Sequence, residues 1–147
     1  MIMNMTETVY KAFMLAFLAA CAFQDRKYGR ISLILAGAGG LTALLCRIIS
    51  GQTVFTDILV SFIPGVLLAL IAFASSQAIG FGDAAMAAVA GLFLGCSGCV
   101  LLLLISLAIC AAASAALVIL RKKTWKDQMP FAPFMLAGYV LMEVISI

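Results

Sequence analysis

The sequence of 147 residues has no histidine, and only 10% of its residues are charged. The absence of histidine excludes a catalytic triad built on an imidazole base. The scarcity of charge argues against a soluble domain, because 66% of the residues are hydrophobic and too few polar residues remain to coat a surface in water. We therefore expect an integral membrane protein.

The five cysteines indicate neither a disulfide framework nor a metal site. Three of them, Cys21, Cys46 and Cys110, lie within apolar runs, where cysteine usually behaves as a small buried hydrophobe. Cys96 and Cys99 form a single CxxC, whereas a structural zinc site needs about four ligands. The pattern predicts packing residues, and we expect no metal, cofactor or nucleic-acid partner.

Apolar runs separated by short polar segments predict an all-α fold, a polytopic membrane bundle of about six helices that forms a single transmembrane domain over residues 1–147. The predicted spans are Thr6–Phe23, Ile31–Ile49, Ile58–Ile79, Ala84–Leu94, Cys99–Leu120 and Phe131–Ile147.

The break between the fourth and fifth spans is inferred from length. Residues 84–120 carry no charge, and one helix of that length would overshoot a bilayer nearly twofold, at about 1.5 Å per residue. The run must therefore fold back, and the small, turn-prone cluster Gly95-Cys96-Ser97-Gly98 is the predicted turn.

Basic residues set the orientation, because they stay on the cytoplasmic side of a membrane. With six spans, three loops share one side, and these loops hold seven of the nine Lys and Arg residues: Arg26, Lys27, Arg30, Arg121, Lys122, Lys123 and Lys126. We expect a multi-pass protein of the cytoplasmic membrane with both termini outside. Arg47, toward the other side, is expected to reach the headgroups with its long side chain.

Two of the six acidic residues stand out by their position. Asp25 follows the first predicted span and Asp83 precedes the fourth, so both lie at the cytoplasmic ends of helices. Asp57 and Asp127 fall in loops, where a solvated residue or a helix cap is the expected role. Glu143, inside the last span, either reaches the outer interface or pairs with Lys11 or Arg47.

Asp25 and Asp83 could form the catalytic pair of an aspartic peptidase. Two carboxylates held close together cannot both ionise easily, so they share a proton. One then acts as a base toward water and the other as an acid toward a carbonyl oxygen, without metal, histidine or serine.

The segment Gly80-Phe81-Gly82-Asp83 strengthens this hypothesis. Its glycines permit close backbone approach and unusual dihedral angles just before a helix, and they are expected to shape the site together with Phe81. Asp83 is expected near the N-cap or first turn of that helix, whose dipole would favour the ionised form of Asp83. A Gly-Asp pair is also a common helix cap, so the motif gains its weight from lying on the same side as Asp25.

At these residues the sequence resembles the prepilin peptidase family, the GxGD-type aspartic peptidases that act on type IV pilin-like precursors. The resemblance covers nearly the whole chain and is closest to the small members without a methyltransferase domain. Three pieces carry it: Ala22-Phe23-Gln24-Asp25-Arg26-Lys27-Tyr28-Gly29-Arg30-Ile31, Ile79-Gly80-Phe81-Gly82-Asp83 with Gly91 and Gly95 downstream, and Met129-Pro130-Phe131-Ala132-Pro133-Phe134.

The resemblance implies that Asp25 and Asp83 are catalytic and that Pro130 and Pro133 set the entry of the last helix. It implies removal of a short leader from a prepilin or pilin-like precursor at the cytoplasmic face of the lipid bilayer, without methyl transfer. The sequence departs from the family pattern after Arg30, where Ile31-Ser32-Leu33 stands in place of Ile-Pro-Asn, and at Ala85, where many members have Lys.

Three other interpretations remain open at this point. Intramembrane carboxylates also mark the ion pathways of small transporters, although these acids lie at loop edges and no convincing repeat is visible. A non-catalytic membrane protein of pilus or secretion assembly could have descended from the same fold. A GxGD protease could also cleave another substrate.

Overall fold

The computed structural model describes residues 2–29, 31–49, 51, 55–74, 80–120 and 130–145. These residues form five α-helices, in agreement with the predicted all-α class: α1 (Ile2–Tyr28), α2 (Leu33–Ile49), α3 (Phe55–Ala74), α4 (Phe81–Ile119) and α5 (Ala132–Ile145). Arg30 and the basic segment 121–129 lie outside the described residues. Of the seven basic residues in the predicted cytoplasmic loops, the described residues therefore include Arg26 and Lys27, both in α1.

Helix α4 is broken where the sequence predicts a turn. Gly95 has φ 75° and ψ 174°, a conformation that is essentially restricted to glycine. The Cys99 thiol donates a hydrogen bond to the Ala87 carbonyl at 3.3 Å, whereas about 18 Å would separate these levels in a straight helix. The chain thus reverses at Gly95, and the predicted break is confirmed. The number of membrane spans stays a prediction.

Helix α4 is the centre of the bundle, since among the described residues it contacts each of the other four helices. Within the described ranges, α3 packs on α4 and on no other helix, through small residues that let the two backbones approach closely. A Cβ atom added at Gly91 would collide with the Ser61 carbonyl oxygen, and one added at Gly65 would collide with the Ala88 backbone. Close approach through small residues is typical of helices that associate in membranes.

The outer surface of the bundle is apolar. Ile34 is 85% exposed and Phe73 is 80% exposed, and they belong to a large set of exposed aliphatic and aromatic side chains. A contiguous surface of this kind marks contact with a membrane or a partner. Helices α3 and α4 are each long and apolar enough to cross a bilayer, judged by length and composition.

Arg47 differs from its prediction. It is only 8% exposed, and its Nη1 atom is buried without a hydrogen-bond partner. The side chain therefore turns into the bundle instead of extending toward the surface. Arg47 continues the inward face of α2 that begins with Ala36, Gly39 and Ala43, and this helical register accounts for its burial.

Candidate active site

Asp25 lies inside a helix and not in the loop expected from the sequence. No residue between Phe23 and Tyr28 breaks a helix, and the basic residues Arg26 and Lys27 suit its carboxyl end. Helix α1 therefore continues to Tyr28, one residue before Gly29, which adopts φ 61° and ends it.

The burial of Asp25 follows from this continuation. The buried residues Met14, Leu18 and Cys21 recur every three or four positions along one face of α1, and Asp25 is the next member of the series. It is 8% exposed, a degree of burial that carboxylates rarely reach without a partner.

The partner of Asp25 is the first amide of α5. Asp25 Oδ2 accepts a hydrogen bond from the Ala132 N–H at 3.1 Å. Because the first amides of a helix lack acceptors within it, a carboxylate at this place satisfies a donor and also faces the positive end of the helix dipole. The contact joins two residues that are 107 positions apart in the chain. No pattern in the sequence predicts that these two positions meet.

The chain that leaves α1 connects Asp25 to the second motif. The Gly29 amide donates to the Asp25 carbonyl at 2.8 Å, and the Ser32 amide donates to Gln24 Oε1 at 3.0 Å. The second bond holds Ser32 close to the last turns of α1. Ile31 then packs against Gly82, where an added Cβ would lie 2.8 Å from the Ile31 Cβ atom.

The two glycines of the second motif have different roles. Gly82 is required by the close approach of Ile31. Gly80 is the N-cap of α4 with φ −69° and ψ 137°, and an added Cβ would meet only Asp83 Oδ2, at 3.4 Å. Neither glycine has a positive φ, so the expectation of unusual dihedral angles here is wrong, while the expected close approach holds for Gly82. Phe81, between them, is about half exposed.

Asp83 lies in the first turn of α4, as the sequence predicts. Its amide donates to the Gly80 carbonyl at 3.0 Å, which begins the helix. Its carboxylate accepts a hydrogen bond from the Gly80 backbone, so that the third helical residue returns to the cap as in a capping box. Asp83 is partly buried.

Asp25 of α1 and Asp83 of α4 interact electrostatically. Each of them also lies at a helix N-terminus, Asp25 at that of α5 and Asp83 at that of α4. The dipole argument that singled out Asp83 as the more acidic partner therefore applies to both residues and no longer separates them. Chemically, the arrangement offers two interacting acids in a partly dehydrated setting, which suits sharing of a proton.

Cationic side chains surround the exposed side of this site. Arg26 and Lys27 follow Asp25 directly and are exposed. Lys27 Nζ lies 5.3 Å from the centre of the Tyr28 ring, within the range of a cation–π contact. The inward face of α1 thus carries the acid, and its outward face carries the positive charge.

Comparison with known families identifies the group to which this chain belongs. The model of the type IV leader peptidase family matches residues 12–115, more than half of the chain and a range that includes both aspartates. The chain belongs to this family, and the resemblance inferred from its motifs is confirmed. Membership implies a protease activity of the leader-peptidase kind and association with a membrane. Searches of curated proteins and of solved structures gave no significant match.

Proposed function

We propose that this protein is a membrane aspartic endopeptidase that removes the leader peptide from type IV prepilin-like precursors at the cytoplasmic face. Asp25 and Asp83 are its catalytic pair, and Gly80, Phe81 and Gly82 shape the second half of the site. The precursor's leader approaches from the cytoplasm, while its apolar helix stays in the bilayer. Six spans with both termini outside would place the pair on that face.

The observation that carries the proposal is the electrostatic interaction of Asp25 and Asp83, two acids from separate helices within a chain of the leader-peptidase family. A cap alone would explain either residue by itself, because each accepts a hydrogen bond from a helix-terminal backbone group. Capping does not explain why two partly or fully buried acids interact with each other, since each disfavours the ionised form of the other.

The pair performs peptide hydrolysis in two stages, the addition of water and the collapse of the intermediate, with two proton transfers in each. The ionised carboxylate takes a proton from a water molecule, whose oxygen then bonds to the carbonyl carbon of the scissile peptide. The protonated carboxyl donates its proton to the carbonyl oxygen. When the tetrahedral intermediate collapses, the C–N bond breaks and the leaving nitrogen takes the proton of the protonated carboxyl. A hydroxyl of the intermediate gives its proton to the ionised carboxylate as the C=O bond re-forms, which restores one shared proton.

Processing of a pilin precursor from the same genome tests this function. The full chain is co-expressed with the precursor, and leader removal is followed by the mass of the pilin N-terminus. Asp25→Asn and Asp83→Asn preserve shape and remove the charge, so each should lower processing by about 10³-fold, within the range for loss of a general acid or base.

The matched control is Asp57→Asn, which removes an exposed carboxylate from the first turn of α3. This variant should process the precursor like the unmodified chain. Retained processing in either dyad variant would eliminate the aspartic mechanism. Failure of the unmodified chain to process the precursor would instead favour a non-catalytic role in pilus or secretion assembly.

A further inference from the structure

The first turn of α5 offers a single amide to Asp25. Among residues 132–135, all of which the structure describes, Pro133 has no N–H, and the Phe134 and Met135 amides both donate to the Phe131 carbonyl at 3.0 and 3.1 Å. Only the Ala132 amide is left for an acceptor outside the helix, and Asp25 Oδ2 takes it. Proline in this turn thus does more than direct the helix: it removes the neighbouring donor.

The contact is closed to solvent on both sides. Ala132 is 0% exposed and Asp25 is 8% exposed, so water cannot readily replace the amide as a donor. A hydrogen bond to a carboxylate stabilises its ionised form, and more strongly where the surroundings are dehydrated. With Oδ2 fixed by Ala132, Oδ1 is the oxygen that remains for a proton or water shared with Asp83.

We propose that the Ala132 amide is a positioning group of the peptidase, which fixes the rotation of the Asp25 carboxylate. This inference rests on the proposed function. It differs from a simple capping role, in which Asp25 would serve α5 and the amide would have no effect on the acid–base chemistry.

Asp25 has titratable neighbours on two helices, α1 and α4. From α4 it is faced by Asp83, and from one turn earlier in α1 by the Cys21 thiol, both of which interact with it electrostatically. From α5 it is faced by the uncharged Ala132 amide. Arg26 and Lys27 are exposed beside it. The acidic limb of the pH–rate profile accordingly belongs to the coupled pair of carboxylates.

Backbone substitution tests the positioning role in the full-length chain. Ala132→lactic acid, introduced by nonsense suppression, exchanges the N–H for an ester oxygen and keeps the methyl side chain. Without this donor the acidic limb of leader processing should move up by about one pH unit. The rate on that limb should then fall by about tenfold, while the rate on the alkaline side is kept.

The matched control is Phe134→phenyllactic acid, two positions further on. It removes an amide that donates within α5 to Phe131 and not to Asp25. A capping or stability effect should appear in both ester variants, whereas the shift of the acidic limb should appear only at position 132. An unchanged profile in the Ala132 ester, or an equal shift in both esters, would overturn the positioning role.

A second measurement does not depend on activity. The amide proton of ¹⁵N-labelled Ala132, observed in detergent-solubilised protein, should change its chemical shift with pH, and this change should vanish in Asp25→Asn. If leader cleavage is intact, a shift that is flat with pH overturns the positioning role alone. If the unmodified chain cleaves no prepilin, the proposed function fails, and the positioning role fails with it whatever the amide shows.

Discussion

Helices α1 and α5 run antiparallel and are joined by a polar contact at each end, and the two contacts differ in kind. At one end, Asp25 Oδ2 accepts the Ala132 amide from within a buried site. At the other, Lys11 Nζ lies 2.8 Å from Glu143 Oε2, with side chains that are 54% and 27% exposed. The first contact fixes one oxygen against one backbone donor, whereas the second joins two long side chains that can re-form in several geometries.

The two contacts therefore have different roles: the first fixes the geometry of a side chain, and the second holds the two helices together. A buried bond to a backbone donor is sensitive to shifts of a fraction of an ångström, because neither partner can follow the other. An exposed ion pair keeps most of its modest energy over a range of geometries. We therefore expect chemistry to depend on the Asp25 end, while the Lys11 end should contribute to the pairing of the helices and little to the rate.

The largest effect should come from comparing Asp25→Ala with Asp25→Asn. Both variants should lose leader processing, because neither side chain can accept a proton from water. Asp25→Ala also leaves the buried Ala132 amide without an acceptor, which costs about 1–3 kcal/mol of unfolding free energy, whereas Asn keeps an acceptor oxygen. Unfolding in SDS mixed micelles measures this difference, and equal destabilisation by the two variants would show that the bond to Ala132 is not formed.

A comparison of the two motif glycines should give the next largest effect. Gly82→Ala places a methyl group 2.8 Å from the Ile31 Cβ atom and 3.3 Å from its backbone nitrogen, so Ile31 must shift. We expect a loss of about 1–3 kcal/mol from this overpacking, together with slower processing. For stability alone, Gly80→Ala is the matched control, because its Cβ finds ordinary contacts and its φ of −69° suits any residue. Equal loss in both variants would contradict the packing role assigned to Gly82.

The smallest effect should come from the ion pair of Lys11 and Glu143, which joins α1 and α5 at the end away from Asp25. Lys11→Glu removes the ion pair and sets two acids against each other, and its effect on stability should be small because water screens this exposed pair. The charge swap Lys11→Glu with Glu143→Lys should restore most of that stability. Leader processing, measured beside SDS unfolding, should change less than twofold, roughly the weight of a surface ion pair. A large loss of processing that the swap does not rescue would mean that the contact of Lys11 with Glu143 also controls the active site.

The features that the sequence predicted correctly are those that depend on residues close to one another in the chain. Residues 84–120 form an uncharged run that is too long for one membrane helix. With the turn-prone cluster that begins at Gly95, this run predicts the reversal that α4 shows. Gly-Asp before an apolar run predicts a helix start, and Asp83 lies in that first turn. For Glu143 the sequence left a choice of Lys11, Arg47 or the interface, and the structure selects Lys11.

The features that the sequence did not predict depend on contacts between distant segments. Polar residues from Gln24 onward suggested a loop, yet the spacing from Met14 through Leu18 and Cys21 to Asp25 already had a helical period. That period was the available signal for the burial of Asp25. The Ala132 amide could not be found in this way, because a backbone donor has no signature of its own and acquires a role only when another helix brings it an acceptor.

The reversal at Gly95 also bears on the lipid around the protein. The part of α4 from Phe81 to the break is about 21 Å long, well below the roughly 30 Å of a hydrocarbon core. Either the membrane thins beside this hairpin or the tip of the hairpin stops short of the far headgroups, where its free carbonyls must find partners within the protein. Bilayer thickness is therefore a variable to which this small bundle should respond, and shorter acyl chains should suit it better than longer ones.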